Sequence, residues 1–186
     1  MKRIFMIAFL VGGLVGTVSL IGSAQEQDAQ DSTGLSDRIW KRGLKIAPVT
    51  LNLDGKNKKR VGMGSYIVNA QAACVSCHKS PTYADGGDPA SGQPEQINQA
   101  RYLAGGEHFG PFTSSNITPD ANGLPAGLTL DQFIQVMRTG FDADKHPQFG
   151  PFLQVMPWPA YSKMTDEDLR NIYEYLRAVP HAESLP

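Results

Sequence analysis

The 186-residue chain holds two cysteines, three positions apart, with a histidine directly after the second: Cys74-Val75-Ser76-Cys77-His78. Few features constrain a fold so tightly. On one helical turn, residues i and i+3 lie on the same side, so both sulfurs reach one object and the next side chain points at its centre. The C-x-x-C-H spacing therefore predicts thioether bonds from Cys74 and Cys77 to the vinyl groups of one haem, with His78 on its iron. A thioredoxin-like dithiol needs a βαβ context that the sequence does not offer. A closed zinc site needs four ligands, and no second Cys/His cluster supplies them. A disulfide across two intervening residues would leave His78 without a role.

The start of the chain bears on where such a group is attached. Lys2 and Arg3 precede an uncharged run from Ile4 to Ile21, then Gly22, Ser23 and Ala24, then the polar stretch Gln25 to Asp31. This is the pattern of a secretory signal, with cleavage expected after Ala24. The rival reading is an uncleaved anchor through residues 4–21, about 27 Å long as a helix and borderline for a bilayer core. Both readings place the rest of the chain outside the cytoplasm, in a periplasmic or similar compartment, where covalent haem attachment is completed. Residues 25–44 are expected to form a flexible leader, because 25–37 lacks apolar periodicity. Residues 45–181 are expected to form one domain. With 17 Lys+Arg against 18 Asp+Glu, the chain has no strong positive field to collect phosphates, which argues against a nucleic-acid partner.

Within the domain, Val49, Leu51 and Leu53 alternate with polar residues as an extended segment ending in the turn signal Asp54-Gly55. Lys56, Lys58, Lys59 and Arg60 read as a solvated loop in preference to a docking patch. Val61 to Ala73 reads as a helix entering the cysteine pair, with Tyr66, Ile67 and Ala70 toward a core. Residues 79–127 carry eight Gly and six Pro, too many for long regular elements. A loop of that length inside a compact domain needs something to wrap around. Thr129 and Gln132 form a T-x-x-Q capping box for a helix with the apolar stripe Leu130, Phe133, Ile134 and Met137, stopping at Gly140. Thr165 caps a last helix whose buried face is Leu169, Ile172, Tyr173 and Leu176, with Arg170, Asn171, Glu174 and Arg177 toward water. The fold class is mainly α, with long Gly/Pro-rich loops.

Iron held by His78 alone would be open to gases or peroxide; a sixth protein ligand closes it for moving single electrons. The candidates are Met63, Met137, Met156 and Met164, with His108, His146 and His181. Met137 belongs to a core stripe, and Met164 fits a hydrophobic staple with Leu169. Met63 starts the helix that already supplies His78. Met156 has no such duty and sits before Pro157, out of helical geometry, so it is the expected second ligand, with His108 or His146 behind it. Met/His pairing raises a haem's potential.

Six blocks stand in order: Gly64 to Ala70, Cys74 to His78, Leu103 to Gly106, Ser115 to Asp120, Gln154 to Pro159, and Thr165 to Leu169 running on to Tyr175 and Leu176. Together, over roughly residues 45–180, they make the chain resemble the monohaem class I c-type cytochromes. More narrowly, they are similar to the haem domains of bacterial membrane-bound dehydrogenase cytochrome subunits. The resemblance implies a helical fold around one covalent haem c, its first and last helices crossing where Gly64 and Tyr66 meet Tyr173 and Leu176. It also implies electron transfer between redox partners: a dehydrogenase, an oxidase or another cytochrome. The separation of His78 and Met156 exceeds that of the shortest class members, which leaves the 79–127 loop to shield the haem edge or to form a docking surface.

The remaining residues carry softer expectations. Trp158 is set to bond a haem propionate or to pack on the ring. Arg101, Tyr102 and Asn116 are candidate propionate or loop contacts. A proline carbonyl, from Pro89, Pro94 or Pro111, is expected to accept the His78 imidazole N–H and fix its tautomer. Asp120 to Gly123 reads as a turn, not a calcium loop. An electron carrier is the leading function; a haem enzyme or gas sensor with one open axial position is the alternative.

Overall fold

The computed structural model describes residues 19–142 and 150–184, with side chains from residue 33 onward. The signal-like run ahead of residue 19 and the candidate ligand His146 lie outside the described residues. The chain divides into two units after Ser36, and the unit from Asp37 onward contains every element that positions the site.

That unit is mainly helical. Helix α1 spans Ser19–Ile46, α2 Lys58–Tyr66, and a π-helical turn Ile67–Gln71 links α2 to the single turn α3, Cys74–Cys77. A hairpin pairs β1, His108–Phe109, with β2, Phe112–Thr113. Then come α4, Leu130–Thr139, the short α5, Trp158–Tyr161, and α6, Asp166–Leu176. Among the described residues, no helix is long and apolar enough to cross a membrane.

Local chemistry explains where these helices begin and end. Asn57 caps α2 by accepting from the Lys59 and Arg60 amides at 3.1 Å each. Thr129 and Gln132 form the expected capping box on α4, which ends at Gly140 in the left-handed region. Thr165 forms a second box with Asp168 on α6, behind three first-turn acids that complement the helix dipole.

Helices α2 and α6 cross in close contact, and a glycine makes the approach possible. A Cβ on Gly64 would sit 1.9 Å from the Asn171 carbonyl oxygen and 2.7 Å from Tyr175 Cβ. The crossing was expected at Gly64, and the α6 residues nearest to it are Asn171 and Tyr175. Asn171, expected to face water, is 3% exposed, and its Oδ1 accepts from Arg60 Nη1 at 3.4 Å. The physical reason is that α6 is buried on two sides. Its second side carries Tyr173, which packs on Phe133 with ring centroids 5.5 Å apart and donates to the Leu128 carbonyl at 3.0 Å.

Beside the crossing runs a buried polar chain. The Tyr102 and Tyr175 hydroxyls are 2.7 Å apart, Tyr102 donates to Asn69 Oδ1 at 2.7 Å, and Ser65 Oγ donates to the Gly43 carbonyl at 2.7 Å. Burial pushes the Tyr102 phenol well above its ordinary range. Two sequence expectations change here. Residues 25–44, read as a flexible leader, are helical, and residues 37–44 pack: a Cβ on Gly43 would meet the Gly62 carbonyl oxygen at 1.8 Å. Ala70 is exposed, because the π-helical turn rotates it off the face that buries Ile67 and Val68.

Candidate functional site

The site is built from the point where α2 stops being regular. After the π-helical turn, Ala73 adopts φ 50°, ψ 34°, a left-handed conformation that costs a non-glycine residue about 1–3 kcal/mol and collects at functional sites. This reversal starts α3, whose one turn places Cys74 and Cys77 on the same cavity. The two sulfurs are not joined in a disulfide. Burial pushes the Cys74 thiol up to about 12.

His78 follows at the end of α3 and is held twice by the loop that comes after it. Its Nδ1 lies 2.8 Å from the Ser115 carbonyl oxygen, so Nδ1 carries the proton and donates, which leaves the lone pair on Nε2. Its own carbonyl accepts from the Gly105 amide at 2.9 Å. Burial holds the imidazole pKa below its usual value, favouring the neutral, ligating form. Gly105 brings the two arms of this loop together. It has φ +69°, and a Cβ there would stand 2.4 Å from the Ser114 oxygen and 2.6 Å from the Ser115 oxygen. The acceptor for His78 is thus Ser115, not Pro89, Pro94 or Pro111.

These residues open on an apolar cavity of about 360 Å³, closed by the β1–β2 hairpin, Phe133 and Met137 of α4, residues 153–157, and Ile172 and Leu176 of α6. Its size lies within the range of small-molecule and cofactor sites. Met156 lines it and is half-buried. The Met156 loop is tied at both ends: Leu153 donates to the Gly140 carbonyl at 2.8 Å, and Tyr161 of α5 donates to the Ala72 carbonyl at 2.9 Å.

Of the other candidate ligands, Met137 also lines the cavity and is 4% exposed. Met63, Met164, His108 and His181 do not line it. His108 bonds Thr113 Oγ1 at 3.0 Å, and His181 bonds the Pro119 carbonyl at 2.7 Å. Trp158, Arg101, Tyr102 and Asn116 are absent from the lining as well. The Trp158 indole covers Gly140, where a Cβ would meet its Nε1 at 2.4 Å. Arg101 donates to the Ser80 and Glu183 carbonyls, Asn116 holds the Ala182 carbonyl at 2.6 Å, and Tyr102 belongs to the core. Asp120 Oδ1 accepts from the Asn122 and Leu124 amides, a turn as expected. Sequence reasoning missed Gly105 and Ser115 as supports of His78, although the Leu103–Gly106 and Ser115–Asp120 blocks marked their positions.

Among the described residues, no group of three or more His, Cys, Asp or Glu side chains gathers to hold a metal ion. An apolar cavity with two cysteine sulfurs and one lone-pair imidazole on its wall fits a flat macrocycle that carries its own metal.

The chain is 32% identical over 124 residues to the fructose dehydrogenase cytochrome subunit of Gluconobacter japonicus, a match that covers 64% of this chain and 21% of that protein. It is 29% identical to the gluconate 2-dehydrogenase cytochrome c subunit of Pantoea cypripedii, over 66% of this chain and 24% of the relative. These similarities support a c-type cytochrome. A dihaem c-type cytochrome of Cereibacter sphaeroides is 25% identical over 59% of this chain and 33% of its own length. The chain thus spans only about a fifth to a third of the length of these relatives. No protein-family model and no solved structure matches the chain.

Proposed function

We propose that this chain is an exported electron carrier of the monohaem class I type with one covalent haem c. Cys74 and Cys77 would bind the macrocycle through their sulfurs, His78 Nε2 would ligate the iron, and Met156 would supply the second axial ligand. When bound, the haem supplies one reversible electron at its iron. The chain's own part is to hold the imidazole through Ser115 and Gly105, to keep water from the ring with the apolar lining, and to present a thioether sulfur from a proline-bracketed loop. Its partners would be redox proteins, a dehydrogenase first among them, because the Gluconobacter and Pantoea relatives are cytochrome subunits of dehydrogenases. An oxidase or another cytochrome would stand on the far side of the transfer. Membrane association would run through residues 4–21 if that run is retained.

The observation that carries this reading is the shared cavity. Two cysteine sulfurs and an imidazole whose Nδ1 is already bonded to the Ser115 carbonyl face one apolar space with a methionine on its wall. Met137 on the same wall favours a second assignment of the sixth ligand, but its side chain is already part of the core cluster. The test is an optical spectrum of the purified protein, oxidised and reduced, followed by extraction in acidified organic solvent. Reversible haem bands that stay with the polypeptide support the proposal, and a colourless protein or an extractable pigment overturns it. Rapid, tight carbon monoxide binding to the reduced form would instead favour an open-site enzyme or sensor.

A further inference from the structure

The charges of this chain are sorted by region. Residues 37–60 hold eight Lys and Arg against Asp37 and Asp54, whereas residues 61–186 hold seven basic and thirteen acidic residues. Four of the eight, Arg38, Lys41, Arg42 and Lys45, stand at i, i+3, i+4 and i+7 of α1 and therefore share one face. All four are exposed. The opposite face of the same turns is the packed one, where Trp40 and Gly43 meet Gly62 and Leu44 joins the core. The stripe is about 10 Å long at the helical rise. Lys59 pairs with Asp37 at 3.5 Å, which brings the start of α2 and its exposed Lys58 to this part of α1. Among the described residues, Arg38, Arg42, Lys45 and Lys58 have no ion-pair partner.

We infer that this basic face, Arg38, Lys41, Arg42 and Lys45 with Lys58 at the start of α2, binds the phosphate headgroups of an anionic lipid surface. Protein interfaces are built around an apolar centre and are depleted in lysine. Here no large apolar side chain between residues 37 and 60 is exposed, and three of the five cations are lysines. A plane of lipid phosphates demands charge without shape, and basic residues on a helix face supply it. The face also follows the apolar run Ile4 to Ile21 in sequence, at the end of the chain that meets a membrane during export. No residue before Val68 lines the cavity, so a domain held by this face keeps its cavity lining out of the contact. The lipid contact stands whether or not the cavity holds haem.

The test uses the protein in the form its producing cell makes, sedimented with phosphatidylcholine vesicles with and without phosphatidylglycerol. Binding should favour the anionic vesicles, fade as sodium chloride is raised, and fall about fivefold for each neutralised residue. In R38Q/K41Q/R42Q/K45Q the preference should vanish while circular dichroism stays unchanged. Should that variant fail to fold, R42Q/K45Q should show a partial loss. K163Q/R170Q, equal in charge to the double variant but outside the face, should keep the full preference. Equal binding to both vesicle types, or an unaltered preference in the stripe variants, overturns the inference. So does an equal loss in K163Q/R170Q, which would reduce the effect to net charge. Unchanged vesicle binding with loss of a co-purifying protein would assign the face to a protein partner and also overturn it.

Discussion

Helices α2 and α6 show two opposite solutions to packing within a few turns of each other. At Gly64 they touch so closely that a methyl group has no room, and Asn171 is buried beneath the contact. Further along, Val68 of the π-helical turn that follows α2, with Ile172 and Leu176 of α6, borders a cavity of about 360 Å³. The crossing is closed by the chain's own atoms; the cavity is not. Damage at the crossing should therefore harm the fold whatever fills the cavity, while damage at the cavity should act through its occupant, since anything bound only by the native state adds to its stability.

Each side of this contrast can be broken separately. The largest effect is expected from Gly64→Ala, whose Cβ overlaps the Asn171 carbonyl. Overpacking of this kind should cost about 3 kcal/mol or more, and thermal unfolding of the haem-loaded protein should show it. Retained stability would mean that the crossing is looser than described. Next, C74S/C77S should leave the pigment extractable and lower the melting temperature, with the far-ultraviolet helical signal largely kept. Collapse of that signal would show that the crossing does not stand without the occupant.

The Met156→Ala variant should keep the haem attached, lose the red-region sulfur-to-iron absorption and lower the reduction potential. Met137→Leu should leave that absorption in place, and the reverse result would exchange the two methionines. Tyr102→Phe takes the donor from Asn69 Oδ1 and breaks the contact with Tyr175, for a loss of about 1–2 kcal/mol in chemical denaturation and no change in the haem spectrum. The smallest effect is Thr165→Ala, which removes one half of the α6 capping box at about 1 kcal/mol. A spectral change in either of the last two would couple the packed side to the cavity.

What could be read from the amino acids divides along the same line of local against distant causes. The Thr129–Gln132 capping box, the Thr165 cap, the stop at Gly140 and the C-x-x-C-H turn follow from neighbours three or four positions apart, and all are present; that Asp168 closes a second box with Thr165 was not expected. The crossing was legible at Gly64, but the burial of Asn171 beside it was not. Periodicity assigns one buried face to α6, whereas Asn171 and Tyr175 lie on a second face that exists only because α2 lies there. The support for His78 was invisible for a different reason. Its acceptor is a main-chain oxygen, which every residue owns, so the identity of Ser115 carries no mark of the task. Residues 37–44 read as part of a leader, although the missing apolar periodicity covers only residues 25–37; the contact of Gly43 with Gly62 needs no apolar side chain. The 79–127 loop was read as wrapping around something, and its Gly105 and Ser115 do wrap, around the imidazole of His78.

That grip has a consequence for the rate of any electron hop. Gly105 and Ser115 clamp His78 at its carbonyl and at its inner ring nitrogen, so the ring has little freedom to swing or tilt when the charge beyond its outer nitrogen changes. Nuclear motion that need not occur does not slow the transfer. With an iron bound at His78 as proposed, the long excursion between two helices would act as a vice, keeping the oxidised and reduced geometries nearly alike.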